Sequence, residues 1–321
     1  MSPRVKILLV PHTLIAPLTD DHVGQIVAAA GDAEVVVGRD EESLQHHAKD
    51  ADVMFGRIRN DLLGLAESLK WVHSAGAGVD HFADLLGPNV RLSSGSGVVG
   101  PHLAEHSLAL LFAITRGIAE SVRDPSWSRR ANVRDAQWEL TDRTMCIVGL
   151  GGSGRALASR ARGLEFQRIV AVDPVQTSDD SVDEVVTPEE IDRVLPEADV
   201  VALTLPMTPS TKGMFNAERF NLMKRGSIIL NVSRGGLIDE DAMLEALKSG
   251  QLGGAGLDVT VEEPLPPEHP FLHLPNVVIT PHIAGGSPRR AGRVVDQFCE
   301  NLGRFTKGDQ LLNQYDADRG F

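Results

Sequence analysis

TMCIVGLGGSGRALASRARGLEFQRIVAVD, residues 144–173, is the stretch on which the fold turns. An apolar run over 145–148 stops at Gly149, and glycines follow in the spacing Gly149-x-Gly151-x-x-Gly154. A segment suited to a helix comes next, and a second apolar run ends in Asp173. A lone glycine triplet says little. Here strand, loop, helix and strand are all present, with an acid about 20 residues beyond the loop, as in a dinucleotide-binding βαβ unit. The glycines let the backbone approach a pyrophosphate, whose charge rests on the helix N-terminus. Gly149, Gly151, Gly152, Ser153 and Gly154 are therefore the expected cofactor loop. Ser153 stands where an apolar residue is commoner, a small departure for a loop that works through its N–H groups. Asp173 is expected to accept hydrogen bonds from the adenosine ribose and to repel a 2′-phosphate, which favours NADH over NADPH.

On the C-terminal side the alternation continues through DVVALTL (199–205), SIILNVS (227–233), GAGLDV (254–259) and NVVIT (276–280). With the two runs of the opening stretch these make six strand candidates, several apolar throughout, as when both sheet faces are covered. Helix signals lie between them: Thr187-Pro188-Glu189-Glu190 combines an N-cap, a proline at N1 and a glutamate at N3, and a helix opens at Asp239 and stops at Gly250. On the N-terminal side VKILLV (5–10), EVVVG (34–38), DVMFG (52–56) and KWVH (70–73) are spaced like parallel strands with crossover helices. RLSSGSGVVG (91–100) is loose and Gly/Ser-rich, the expected domain crossing, and Pro101 suits the first turn of a helix. Residues 102–118 are apolar nearly all round, which suits a helix between layers. Residues 119–144 are polar and Arg-rich with two tryptophans and read as an arm touching a second subunit. The amphipathic stretch 289–308 reads as a last helix.

A chain of 321 residues is long for one core, so two domains are expected. The formal charge of −13 argues against a nucleic-acid partner, which needs clustered Lys and Arg, but leaves room for a small anionic substrate held by one local arginine. Cys146 and Cys299 have neither metal-ligand spacing nor a disulfide framework, so no metal is expected. The N-terminal apolar run is too short for a signal peptide, and nothing approaches the ~20 apolar residues of a membrane helix. A cytoplasmic, reduced location is the expectation.

NVVITPHIAGGSP (276–288) poses a question of its own, because a lone His282 follows an apolar strand and precedes backbone-permissive residues. It is either a spare polar side chain or an imidazole at a cleft mouth that moves a proton. Arg234 and Glu263 likewise follow apolar runs, where open α/β sheets bind their ligands.

Seven stretches in order resemble the D-isomer-specific 2-hydroxyacid dehydrogenase family: SAGAGVDH (74–81), LAEHSLALLFAITR (103–116), GLGGSG (149–154), LPMTPSTKGMFN (205–216), ILNVSRGGLIDEDAMLEAL (229–247), AGLDVTVEEP (255–264) and TPHIAGG (280–286). The resemblance implies an α/β fold of two doubly wound parallel-sheet domains. A Rossmann NAD domain, 99–286, would be inserted into a flavodoxin-like substrate domain of residues 1–98 and 287–321, with a helical dimer arm at about 101–140. It places the proton donor and acceptor on His282. Glu263 would hydrogen-bond that imidazole and favour its charged form, and Arg234 would hold the substrate carboxylate and polarise the carbonyl. Leu205, Val232, Ser233, Asp258 and Gly285 match the cofactor lining, and Asp258 reads equally as a structural strand-end acid. Ala77 and Gly78 match the loop whose N–H groups receive the carboxylate. Arg57 matches a family arginine that can face the active site, or is a surface residue. Glu105 and His106 are expected to be packing or interdomain hydrogen-bonding residues, and Trp138 belongs to the arm or to the core.

The implied reaction is hydride transfer between NADH and the C2 carbonyl of a small 2-keto acid, by a homodimeric enzyme. It needs a cation at the developing alkoxide and an acid to protonate it. A planar, always charged guanidinium suits the first task and an imidazole the second. Glu263 weighs against a formate dehydrogenase, where glutamine is expected, and Ala77 against a phosphite dehydrogenase, where a nearby lysine is. No regulatory domain is expected after residue 321, which disfavours the long allosteric phosphoglycerate dehydrogenases and leaves the short form open, as it leaves open glyoxylate, hydroxypyruvate and bulkier 2-keto acids. The Cys and Lys segments of the nicotinamide-binding hydrolases of homocysteine metabolism are not visible. A non-catalytic NAD(H)-sensing protein, corepressor-like, is the alternative on the same fold.

Overall fold

In the computed structural model the apolar runs become strands of two parallel sheets. Residues 4–11, 18–79, 81–317 and 319 are described; Asp80 of SAGAGVDH lies outside them, as do residues 1–3 and 12 of the N-terminal stretch. The chain divides into two compact units, Met1–Val99 with Gly286–Phe321, and Gly100–Gly285.

The first unit holds β1 (Lys6–Val10), β2 (Glu34–Val37), β3 (Val53–Gly56), β4 (Trp71–Ser74) and β5 (Arg91–Ser94). All pair in parallel in the order β2-β1-β3-β4-β5. Alternate side chains leave opposite faces of a strand, so each strand feeds two cores. Ile7, Leu9, Phe55 and Trp71 pack with Val295 and Phe298 of the helix Arg290–Lys307. Leu8, Met54 and Val72 pack with Leu44, Leu62 and Phe82 on the other face. The expected loose segment differs in part: its first four residues are β5, and the chain leaves the unit only after Val99. Tertiary partners explain the serines inside a strand. Ser93 is fully buried, and its Oγ accepts from Trp71 Nε1 (2.9 Å) and bonds His73 Nδ1 (2.7 Å).

The second unit holds β6 (Thr144–Val148), β7 (Arg168–Val172), β8 (Glu184–Val186), β9 (Val200–Leu203), β10 (Ser227–Asn231), β11 (Leu252–Leu257) and β12 (Val277–Ile279). All are parallel, in the order β12-β11-β10-β9-β6-β7-β8. The six expected strands are joined by β8, whose three residues open on Glu184 and leave only two apolar positions in a row. The apolar helix is Gly100–Thr115, and it lies directly on β11. A Cβ on Gly256 would stand 2.8 Å from both Leu110 Cβ and Leu230 Cδ2, so only glycine lets helix and strand close. The expected arm consists of short helices, Ile118–Arg123, Trp127–Arg129 and Arg130–Asp135. Trp127 is 82% exposed, whereas Trp138 packs against the core with the Arg143 guanidinium 4.6 Å from its ring centroid. No helix among the described residues is long and apolar enough to cross a membrane.

Candidate active site

Strand order reverses between β6 and β9, and the loops after β6, β7, β9, β10, β11 and β12 all leave from the carboxyl ends of their strands. In open α/β sheets that edge is where a ligand crevice forms. The candidate cofactor and catalytic residues of the second unit sit on these loops, except Gly152, Ser153 and Gly154, which form the first turn of the helix that follows β6.

At the loop after β6, Gly149 adopts φ +97°, and its N–H donates to the Val172 carbonyl (2.8 Å). A Cβ on Gly154 would lie 2.0 Å from the Gly149 carbonyl oxygen, so the third glycine is what lets the helix close on the turn. A Cβ on Gly151, by contrast, would meet nothing within 4 Å. Gly151 caps the helix Gly152–Arg162 without a side-chain hydrogen bond, leaving the first N–H groups open. An open, uncapped helix start beside exposed glycine fits a dinucleotide pyrophosphate. Leu205 packs against Gly149, with its Cα 2.9 Å from where a Cβ would stand. Val232 is buried, and the Ser233 hydroxyl donates to the Leu203 carbonyl (2.8 Å), so these two offer backbone rather than side chain. Asp173 is held from three sides: its carboxylate accepts from the N–H groups of Leu150 (2.7 Å), Val175 (2.9 Å) and Gln176 (2.9 Å).

Arg234, Glu263 and His282 come from the loops after β10, β11 and β12. Arg234 Nη1 donates to the Ser233 carbonyl (2.8 Å), and Asn231 Nδ2 donates to the Arg234 carbonyl (2.8 Å). The next residue, Gly235, presses on the Glu263 loop, because a Cβ there would fall 2.1 Å from the Thr260 carbonyl. Glu263 uses both oxygens: Oε1 accepts from the Thr260 N–H (3.1 Å) and Oε2 pairs with His282 Nδ1 (2.7 Å). An ionised carboxylate only accepts, so Nδ1 carries the hydrogen and Nε2 is left to exchange a proton. The His282 side chain is half exposed, so protons and small solutes reach it.

His282 sits at φ +53°, a conformation seldom adopted outside glycine. Asp258 holds it there. The Asp258 carbonyl accepts the His282 N–H (2.9 Å), and its carboxylate accepts from Thr280 Oγ1 (2.6 Å), the Ile283 N–H (2.9 Å) and the Ala284 N–H (2.8 Å). The hydroxyl proton of Thr280 thus goes to Asp258, so the Thr280 oxygen accepts from His106 Nε2 (2.7 Å). Sequence reasoning read His106 as a packing or interdomain hydrogen-bonding residue, and its bond falls instead within the second unit, to Thr280; Thr260 and Thr280 carried no assigned role. A histidine in an apolar helix carries no spacing signal, and its partner lies far along the chain. Gly285 closes the turn, next to Ala284.

In the first unit the Arg57 N–H continues the β3 edge by donating to the Val10 carbonyl (3.1 Å), and its side chain is exposed. Arg57, Gly78, Ser74 and His81 line a cavity of about 380 Å³. Ala77 is half-buried beside it. Arg59, on the same wall, is spent on Glu41 and Asp61.

Comparison with known proteins gives the family and the fold. The family model described as D-isomer specific 2-hydroxyacid dehydrogenase, NAD binding domain, matches residues 108–284. A glyoxylate reductase of Korarchaeum cryptofilum is 32% identical over 279 residues, covering 83% of this chain and 84% of the relative. A D-3-phosphoglycerate dehydrogenase of Methanocaldococcus jannaschii is 32% identical over 318 residues, covering 92% of this chain but 58% of the relative's length. Among solved structures, an NADPH-dependent glyoxylate/hydroxypyruvate reductase from Sinorhizobium meliloti, in complex with NADP and sulfate, superimposes with a TM-score of 0.80. It is 28% identical and is matched over 98% of this chain and 100% of its own.

Proposed function

Because the chain belongs to the D-isomer-specific 2-hydroxyacid dehydrogenase family, whose members are NAD(P)-dependent oxidoreductases, we propose that it reduces the C2 carbonyl of a small 2-keto acid to the hydroxy acid. The observation that carries this is the His282–Glu263 pair at 2.7 Å, on the sheet edge that also bears Arg234 and the glycine loop. A nicotinamide dinucleotide held by residues 149–154 and Asp173 would supply the hydride. His282 Nε2 gives its proton to the carbonyl oxygen and takes it back in the oxidative direction, while Glu263 stabilises the imidazolium and fixes the ring. Arg234 binds the carboxylate and draws charge onto the carbonyl oxygen. In the first unit Arg57, Ala77 and Gly78 serve as substrate contacts.

Relatives named glyoxylate reductase and glycerate dehydrogenase support glyoxylate and hydroxypyruvate as the first substrates to try. The carboxylate of Asp173 at the end of β7 supports NADH over NADPH, against the solved relatives that carry NADPH or NADP. The exposed Ile118, Val122 and Trp127 support an arm that pairs with a second copy of the chain. Free Cys146 and Cys299 suit a reducing cytoplasm.

The test is a panel of glyoxylate, hydroxypyruvate, pyruvate, phenylpyruvate and branched 2-keto acids, followed by NADH absorbance. Turnover of at least one is expected. Inactivity across the panel with NADH still bound replaces this reading with that of an NAD(H) sensor.

A further inference from the structure

Two opposite charges share one support at the end of β7. Asp173 is held by the N–H groups of Leu150 and Gln176. Arg155, from the helix Gly152–Arg162, grips the same two residues: its Nε donates to the Leu150 carbonyl (3.2 Å) and its Nη2 to Gln176 Oε1. An acid suited to excluding a 2′-phosphate thus stands beside a guanidinium suited to binding one. Arg155 has a second tie, because its Nε lies 3.3 Å from Asp179 Oδ2. Asp179 is the less exposed partner, 20% against 46%, and is itself fixed by the N–H (2.9 Å) and hydroxyl of Ser181. Arg155 Nη1 has no hydrogen-bond partner among the described residues.

A ribose 2′-phosphate brings close to two negative charges and three strong acceptors, which a planar guanidinium matches well. With its charge unopposed, Arg155 would offset the repulsion from Asp173. We propose that the Arg155–Asp179 pair sets the choice between NADH and NADPH: Asp179 neutralises and braces the guanidinium, so that Asp173 acts against the 2′-phosphate without a counterweight. This rests on the reading of residues 149–154 as the seat of the dinucleotide. It goes beyond that reading by giving discrimination to a charge balance rather than to Asp173 alone.

The test is equilibrium binding of NADH and of NADPH, each followed by its own fluorescence and without substrate, to the wild type, Asp179→Asn, Arg155→Ala and the double variant. Asp179→Asn is expected to tighten NADPH binding roughly fivefold or more, a value discounted for the partial exposure of the pair, while NADH binding stays within about twofold. Unchanged NADH binding also shows that the loop is intact. The gain should vanish in the double variant and shrink as salt is raised. A ratio that Asp179→Asn leaves unmoved, a parallel change for both nucleotides, or a gain that survives loss of Arg155 overturns the proposal. A wild type that binds neither nucleotide overturns the reading of the loop, and the proposal with it.

Discussion

His282 works from a backbone conformation that costs about 1–3 kcal/mol in a non-glycine residue and persists only when its surroundings hold it. Asp258 does the holding, with three donors on its buried carboxylate and the His282 N–H on its carbonyl. His282 itself could be read from the sequence, since a polar ring at the end of an apolar run stands out. The work of Asp258 could not, because its partners arrive from another loop. Two outcomes follow at this scale. Replacing His282 with alanine should lower kcat for a 2-keto acid by ~100-fold or more, the loss expected when a general acid is removed. NADH affinity, measured by fluorescence titration, should stay the same, and unchanged turnover would remove His282 from the mechanism. Asp258→Ala strips the acceptor from two amides and a hydroxyl, so the fold should lose about 3 kcal/mol in urea denaturation and kcat should fall with it. A variant with full stability and full turnover would show that the turn holds itself.

Among the elements, strands buried on both faces were legible because they leave continuous apolar runs, as residues 228–230 and 200–203 do. The two strands not expected, β5 and β8, lack that mark. β5 is half serine: Ser93 Oγ is satisfied by Trp71 and His73 of the neighbouring strand, and Ser94 Oγ by Ser96. β8 is short, and Glu184 within it is held by Arg168 and Arg193. The glycines of β11 were read as part of a strand, but their reason appears only with the helix Gly100–Thr115 laid against them. Gly256→Val forces its new side chain into Leu110 and Leu230, and overpacking of this kind costs about 1–3 kcal/mol. The check is the urea midpoint of the variant against that of the wild type. Equal stability for Gly256→Val and the wild type would mean that helix and strand separate freely.

At the scale of the molecule each unit buries its own pair of cores, one on either face of its sheet, and among the described residues His73 is the one histidine that is fully buried. His73 was visible as a strand residue, but its burial depends on Phe298 of the last helix, whose ring centroid lies 5.5 Å away. Its Nε2 has no hydrogen-bond partner among the described residues, and burial pushes its pKa from 6.5 down to about 3. The sign of the consequence is fixed by linkage. Between those two values the unfolded chain binds a proton that the folded unit refuses. Stability is therefore complete above about pH 6.5 and is lost as pH falls, by about 2 kcal/mol between pH 7.5 and 5. Carboxylates held low by their partners, such as Asp183, Asp199 and Glu184, lose their contribution only once pH falls into their own unfolded range, so the higher window isolates His73. Trp71 is the reporter, because it is fully buried in the same core while Trp127 is 82% exposed; Trp138, which packs against a core of the second unit, is replaced by phenylalanine in every protein compared. Urea unfolding followed by the blue-shifted emission of Trp71 should show a midpoint that drops from pH 7.5 to 5. His73→Asn, which keeps a polar partner for Ser93 Oγ but cannot titrate, should flatten that slope whatever its effect on absolute stability. An equal slope in both proteins would place the acid sensitivity of this unit on some other group.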